Sequence, residues 1–478
     1  MASANPHVIW QGHSFDWHAG PNPKTFLDKI LKAAEKRASS HIITSTQGQL
    51  TDQDFITETG IDDIYDLSSL PEDESSSRGS YDHSDKVKLF RQIFRDHFQE
   101  LNDSPVRSTV VDNINRMLSC GDPKKGGTMY GCPTCEHVRF SPFHCGSRFC
   151  PSCGNLYNSK RAQAMAEKII DAPHRHITFT IPAEFREFFR LDRNALNDLF
   201  AAVSDTLFYV FQRLSKSEDY IPGFIAVLHT FGRDLKWNPH VHVLLCEVLV
   251  GTHRTHFPIN YINYASLRKS FQKTISDRLS KRFGKSMRRL ISKLYKKYTN
   301  GFYVHAPQRK CNVKSTIKYI GRYLGRPPIA SSRIDDYDGN TVTFHYTRHE
   351  DNKTVSENVP AIEFIKKLIV HIPEKNFKMV RYYGFYSSES ARICLQRGAN
   401  LTTLIPKSHR AALRKKNTWR FAMMQAFDVD PIKCSYCGDM MKPIYFSCGE
   451  KTHFFPVFKL ETSLGIRMRQ LLSFNSSA

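Results

Sequence analysis

Apolar residues recur along this chain with two periods. His176-Ile177-Thr178-Phe179-Thr180-Ile181-Pro182 alternates as a strand does and is closed by proline. Leu199, Phe200, Val203, Leu207, Phe208 and Phe211 recur at helical spacing, which predicts a helix from about Leu196 to Leu214. Phe224 to Phe231 reads as a second strand. The connector Gly232-Arg233-Asp234-Leu235 joins it to a third, Trp237-Asn238-Pro239-His240-Val241-His242-Val243-Leu244-Leu245. A connector this short predicts an antiparallel hairpin. Alternate side chains on a strand face opposite ways, so His240 and His242 share one face and Val241 and Val243 the other.

On either side the pattern is mostly helical. Val87, Leu89, Phe90, Ile93, Phe94, Phe98 and Leu101 mark one amphipathic helix, and Val110, Ile114 and Leu118 a second. Leu267 to Tyr298 is a long basic helical region that Gly284 interrupts. Lys314 to Leu324 reads as a short helix stopped by Gly325 and Pro327. Val342 to Tyr346 and Lys353 to Val355 read as a hairpin around Glu350-Asp351-Asn352. A helix is expected over Ile362 to Ile369, a strand-like passage over Met379 to Gly384, and a basic helix over Ala411 to Lys416. Residues 1 to about 60 show mixed signals. The acidic, Ser-rich stretch from Asp66 to Ser80 has the composition of a flexible linker.

Charge changes the picture more than hydrophobic content does. The 478 residues, enough for two or more domains, are 40% hydrophobic, which is ordinary for a folded protein; 68 Lys and Arg against 46 acids leave a net charge of +22. Such an excess points to a polyanionic partner, nucleic acid first. No apolar run approaches the roughly 20 residues that span a bilayer, so a membrane partner is not expected. Met1-Ala2-Ser3-Ala4-Asn5-Pro6-His7 lacks the basic and apolar regions of a secretory leader, and an intracellular location is expected. The 12 cysteines would then stay reduced and serve as metal ligands.

Three sets of residues carry candidate chemistry. Cys132-Pro133-Thr134-Cys135 and Cys150-Pro151-Ser152-Cys153 are paired knuckles of zinc-finger type, able together to complete a tetrahedron; Cys120, His144 and Cys145 nearby can replace a ligand or, with others, hold a second ion. Arg148 beside them suits a DNA-contacting module. A further knuckle, Cys434-Ser435-Tyr436-Cys437, is expected to draw on Cys448 and His453. His240 and His242 can both reach one divalent ion, or they can be two half-exposed histidines on an edge strand. Tyr319 and Tyr323 lie four apart on one helical face, with Lys318, Arg322 and Arg326 beside them. A pair so spaced can pack a core, or supply a phenolate that attacks a phosphodiester polarised by a metal. Tyr382 and Tyr383 are rival nucleophiles, better read as packing because neighbours on a strand face opposite ways.

These motifs in this order resemble the two-tyrosine rolling-circle transposases of bacterial insertion sequences, the insertion-sequence-91 family, related to Helitron transposases and plasmid relaxases. The likeness covers most of residues 84 to 450. It rests on the cysteine cluster ending in Arg148-Phe149-Cys150-Pro151-Ser152-Cys153, on Asn238-Pro239-His240-Val241-His242, on Lys318-Tyr319-Ile320-Gly321-Arg322-Tyr323 with Pro327-Pro328-Ile329-Ala330, and on Arg381-Tyr382-Tyr383-Gly384. Leu245-Cys246-Glu247 departs from the polar, glycine-bearing turn such a strand should have.

The resemblance implies an α+β chain: an N-terminal extension over 1–83, a zinc-binding domain over 84–168, an HUH nuclease domain over 169–385, and a basic C-terminal region over 386–478. It further implies structural Zn²⁺ and a catalytic Mg²⁺ or Mn²⁺ held by His240, His242 and a third ligand, for which Glu247 and Gln308 are candidates. Single-stranded DNA at transposon ends and target would be cut through a 5′-phosphotyrosine intermediate. No G-x-x-x-x-G-K-[ST] loop is present, so no nucleotide cofactor is expected and any helicase would be the host's. The expected location is a bacterial cytoplasm, at the nucleoid. Two other readings share parts of the pattern, a zinc-containing DNA-binding regulator without catalysis and a replication initiator or relaxase. The zinc modules at both ends favour the transposase.

Overall fold

The computed structural model describes residues 85–103, 106–135, 137–166, 168–216, 220–251, 256–259, 261–285, 287–305, 328–348, 351–396, 420, 423–424, 430–448 and 451–454. The acidic linker, the expected helices at Lys314–Leu324 and Ala411–Lys416, and with them Tyr319, Tyr323, Lys318, Arg322, Arg326 and Gln308, lie outside the described residues.

The architecture is α+β. Helices α1 (Asp85–His97) and α2 (Ser108–Leu118) precede the hairpin β1 (Gly127–Gly131) and β2 (Val138–Pro142), then α3 (Pro151–Ala166). β3 (His174–Thr180), α4 (Ala183–Leu191), α5 (Ala195–Ser215), β4 (Gly223–Phe231) and β5 (Trp237–Cys246) follow. β6 (Val248–Val250) and β7 (His256–Pro258) make a small ribbon, before α6 (Tyr264–Phe283), α7 (Met287–Lys297) and β8 (Val304–His305). The last part carries β9 (Ile334–Tyr337), β10 (Thr341–Thr347), β11 (Thr354–Pro360), α8 (Ala361–Ile369), β12 (Val380–Gly384), α9 (Ser388–Gln396), β13 (Lys442–Cys448) and β14 (Lys451–Phe454). Gly284 ends α6 with φ +80, a left-handed conformation suited to glycine, and so separates α6 from α7 as its sequence position suggests.

The central sheet has the order β12-β4-β5-β3-β8 and every pairing in it is antiparallel. Its two faces differ because the chain alternates. Ile177, Phe179, Phe224, Ala226, Leu228, Val241, Val243 and Leu245 bury one face against α5 and α6 in the largest core. The other face is divided along its length. Ile225, Val227, Leu244 and Cys246 are covered by Met165, Ile169, Val380 and Tyr386 at one end, while the histidines occupy the other. Tyr382 belongs to that apolar end, beneath the Lys168 ammonium 4.3 Å from its ring. Tyr383 points the opposite way and stacks on Phe224, ring centroids 4.9 Å apart.

Segments far apart in sequence share cores. α1 and α2 pack with β10 and α8 around Phe90, Phe94, Ile114, Phe344, Phe364 and Leu368. A separate sheet of order β14-β13-β1-β2 joins the last described strands to the first hairpin. The zinc-binding segment is thus interleaved with chain from beyond the central sheet rather than set off as a separate bead.

Candidate metal centres and nucleic-acid site

The β4–β5 register places His229 directly across from His240, and Val227 across from His242. Paired residues share a face, so His229 joins His240 and His242, and one nitrogen from each lies within 4.8 Å of the others. His229 reads in sequence as one histidine inside an apolar strand; only the register places it beside His240 and His242. Glu247 is not part of this group. It sits past the far end of β5 and is bonded to Arg175, both side chains buried (1% and 5% exposed).

Hydrogen bonds orient the imidazoles. His240 Nδ1 lies 2.7 Å from the Asn238 carbonyl, which fixes the proton there and turns Nε2 inward as an acceptor. That Nε2 is 3.1 Å from His242 Nε2. His242 Nδ1 lies 2.8 Å from His176 Nε2 on β3, with the Thr178 hydroxyl 3.2 Å away. Burial, then the neighbouring His229, His240 and His176, holds His242 well below its ordinary value, and burial first pushes His176 down to about 3. Neutral imidazole is the form that ligates a metal. An octahedral ion with ligands at about 2.1 Å sets adjacent donors about 3.0 Å apart, close to the 3.1 Å between the His240 and His242 Nε2 atoms, so this pair could hold a small divalent cation. His305 on β8 pairs with Thr178, which in turn pairs with His242, so one row of the sheet runs His305, Thr178, His242.

Eight of the 12 cysteines form two quartets, and the C-x-x-C motifs at Cys132 and Cys150 do not share a site as their spacing suggests. Cys150 and Cys153, at the start of α3, meet Cys120 and Cys145. Cys132 and Cys135 meet Cys434 and Cys437 from the other end of the chain. In the first quartet Cys153 Sγ is 3.5 Å from Cys120 Sγ and 3.6 Å from Cys145 Sγ. A tetrahedral ion with sulfurs at about 2.3 Å separates them by about 3.8 Å, so the cluster suits Zn²⁺. Backbone amides of Cys145 and Ser147 donate to Cys120 and Cys145 sulfurs, and Arg91 approaches Cys150, which favours thiolate.

The expected completion of Cys434 and Cys437 by Cys448 and His453 is corrected by this pairing. Cys448 is exposed, opposite Lys451 at the hairpin end, and His453 lies across from Phe446 in the β13–β14 ladder. Arg148, expected on DNA, is half-buried with its guanidinium over the Tyr157 ring at 5.4 Å. Several cations of the basic helices are likewise engaged: Arg278 with Asp205, Arg282 with Asp192 and Asp198, Lys297 with Glu184. No helix among the described residues is long and apolar enough to cross a membrane.

Comparison with known proteins agrees with this combination of parts. A model described as transposase zinc-binding domain matches residues 93–181, and one described as putative transposase matches residues 223–392, which hold the three histidines. The chain is 29% identical over 364 residues to the transposase for insertion sequence element IS801 of Pseudomonas savastanoi pv. phaseolicola, covering 71% of this chain and 85% of that protein. It is 26% identical over 289 residues to putative transposase y4qJ of Sinorhizobium fredii, covering 56% of this chain and 71% of that protein. No solved structure matches. Fold, cysteine quartets and relatives together define a transposase with a structural zinc-binding domain. The zinc-binding match and the two relatives are what the chain shares with transposases of the insertion-sequence-91 family.

Proposed function

We propose that this transposase cuts and rejoins single-stranded DNA by a tyrosine nucleophile at the histidine cluster, in rolling-circle-type transposition. The observation that carries the reading is the convergence of His229, His240 and His242 at one end of one sheet face. A dication held there, Mg²⁺ or Mn²⁺, would polarise the scissile phosphate and offset the charge developing on it. Tyr319 or Tyr323 attacks phosphorus with its phenolate oxygen, the bond to the leaving 3′ oxygen breaks, and that oxygen takes up a proton as the free 3′-OH. The product is a 5′-phosphotyrosine that retains the energy of the broken bond, so strand transfer to a second 3′-OH requires no nucleotide cofactor. Lys318, Arg322 and Arg326 flank the tyrosines in sequence and supply positive charge for the phosphate backbone.

The geometry supports this assignment over Tyr382 and Tyr383. Tyr382 pairs with Ile225, four residues along β4 from His229, which is about 13 Å at the rise of a strand. Tyr383 is stacked on Phe224 on the opposite face. His305, by contrast, is on the same row as His242, and Tyr319 and Tyr323 follow it in the chain. Incubation with single-stranded DNA carrying a transposon terminus and Mn²⁺ is expected to give an adduct that survives SDS. Absence of an adduct with every divalent ion would leave a zinc-containing DNA-binding regulator as the better reading.

A further inference from the structure

We propose that Cys132, Cys135, Cys434 and Cys437 hold a second structural zinc ion, which fastens the C-terminal hairpin β13–β14 to the N-terminal zinc-binding domain. Cys434 and Cys437 lie outside both segments matched by the family models, 93–181 and 223–392. The site joins residues as far as 305 positions apart.

Its geometry is that of a built metal site. Cys132 Sγ is 3.3 Å from Cys437 Sγ, and Cys135 Sγ is 3.6 Å from Cys434 Sγ, near the edge of a tetrahedron of zinc-bound sulfurs. The two knuckles are alike. The Cys132 amide donates to the His137 carbonyl at 2.9 Å, and the Cys434 amide donates to the Asp439 carbonyl at 2.7 Å. Each knuckle therefore turns through the same number of residues, and Gly438, with φ +81, takes the left-handed position in the second. The sulfurs thus meet as two equivalent pairs from opposite ends of the chain.

The surroundings give the ion something to hold. β13 pairs with β1 from Gly127↔Ser447 to Gly131↔Lys442, so the C-terminal hairpin completes a sheet begun by β1 and β2. Thr134 donates to Asp439 and Arg139 to the Pro431 carbonyl across the same seam. Among the described residues the buried cluster at the seam comprises Cys132, Cys434 and Met441, with Tyr130 and Cys135 packed against it, and the Phe143 and Phe446 rings lie 5.3 Å apart. A tetrathiolate metal adds to the ladder and these contacts a bond that offsets the entropy of closing so long a loop. Since the histidine-bearing sheet lies between the two cysteine pairs in sequence, the ion ties the chain on one side of it to the chain on the other.

The test is zinc stoichiometry of the full chain, by native mass spectrometry and by release with a mercurial thiol reagent. Wild-type protein is expected to carry two zinc ions per chain. Cys434→Ser with Cys437→Ser, and separately Cys132→Ser with Cys135→Ser, should each carry one. In each variant limited proteolysis should cut near residues 430–454 while leaving the central sheet intact. Cys448→Ser should keep both ions. One ion in the wild type, two ions in either double variant, or loss of an ion on Cys448→Ser would each overturn the proposal. If a variant fails to fold, the count is taken on the His240→Ala, His242→Ala protein, where zinc at the histidine cluster is not counted and two ions are still expected. It is also independent of tyrosine chemistry, because zinc content is read without DNA.

Discussion

His229 and His240 face each other across the β4–β5 ladder, directly paired in register, with the His240 ring turned by the Asn238 carbonyl toward the shared face. That pairing converts a His-x-His motif on one strand into a three-imidazole cluster on two. If the cluster holds the catalytic ion, His229→Ala should lower cleavage at least about 100-fold, more than the 10–100-fold typical of losing an outer partner. Rate against Mn²⁺ concentration measures it. Unchanged metal dependence would exclude His229 as a ligand.

His176 should act one step further out. Its Nε2 lies 2.8 Å from His242 Nδ1 and turns the other nitrogen of His242 toward the cluster. His176→Phe is expected to raise the metal concentration needed for half-maximal cleavage about 10–100-fold while leaving the rate at saturating metal largely intact. Equal loss at all metal concentrations would mean that His176 is only structural.

Glu247 provides the contrast. As the buried partner of Arg175 it should matter for folding, so Glu247→Ala is expected to cost about 3–5 kcal/mol by stranding a buried cation. Chemical denaturation reads the loss. The protein that remains folded should bind metal as the wild type does. A weaker metal affinity with normal stability would restore Glu247 as a ligand.

Acid should destabilise the fold through His371, away from the cluster. Burial, opposed by its bond to the Leu235 carbonyl, pushes this imidazole down from 6.5 to about 4. As pH falls the unfolded chain takes up this proton first. The stability is therefore complete above pH 6.5 and is lost between about 6.5 and 4, by up to about 3 kcal/mol. Urea midpoints at pH 7 and 5 should show the slope, and His371→Gln should reduce it, leaving the share of the other buried imidazoles held below their ordinary value, His174, His176 and His242.

Gly384 ends β12 with φ +55, and a Cβ there would meet the Pro222 carbonyl oxygen at 1.5 Å. Gly384→Ala should therefore destabilise the sheet by about 2 kcal/mol or more, seen as a lower melting temperature. The Arg381-Tyr382-Tyr383-Gly384 motif is accordingly explained by packing and turn geometry.

Local pattern was readable in the sequence wherever one strand or helix decided it. The alternation in Trp237–Cys246 puts two histidines on one face, the short Gly232–Leu235 connector makes a hairpin, and Gly284 breaks a basic helix. Partners chosen across the chain were not readable. C-x-x-C spacing says that two thiolates can share an ion, but nothing local says that Cys132 and Cys135 meet Cys434 and Cys437 rather than Cys150 and Cys153. The place of His229 was not legible for the same reason, since a two-residue slip in register would pair a different residue with His240. The shared core of α1, α2 and α8 likewise depends on a return of the chain that no window of sequence contains.

The most direct test of the tyrosine mechanism is to identify the residue bonded to DNA. Terminus-bearing single-stranded DNA, Mn²⁺ and wild-type protein should give an SDS-resistant adduct whose digestion and mass spectrum place the nucleotide on Tyr319 or Tyr323. The adduct should vanish in the His240→Ala, His242→Ala double variant. A nucleotide found on Tyr382 or Tyr383, or an adduct that persists when Tyr319 and Tyr323 are both Phe, would contradict the account.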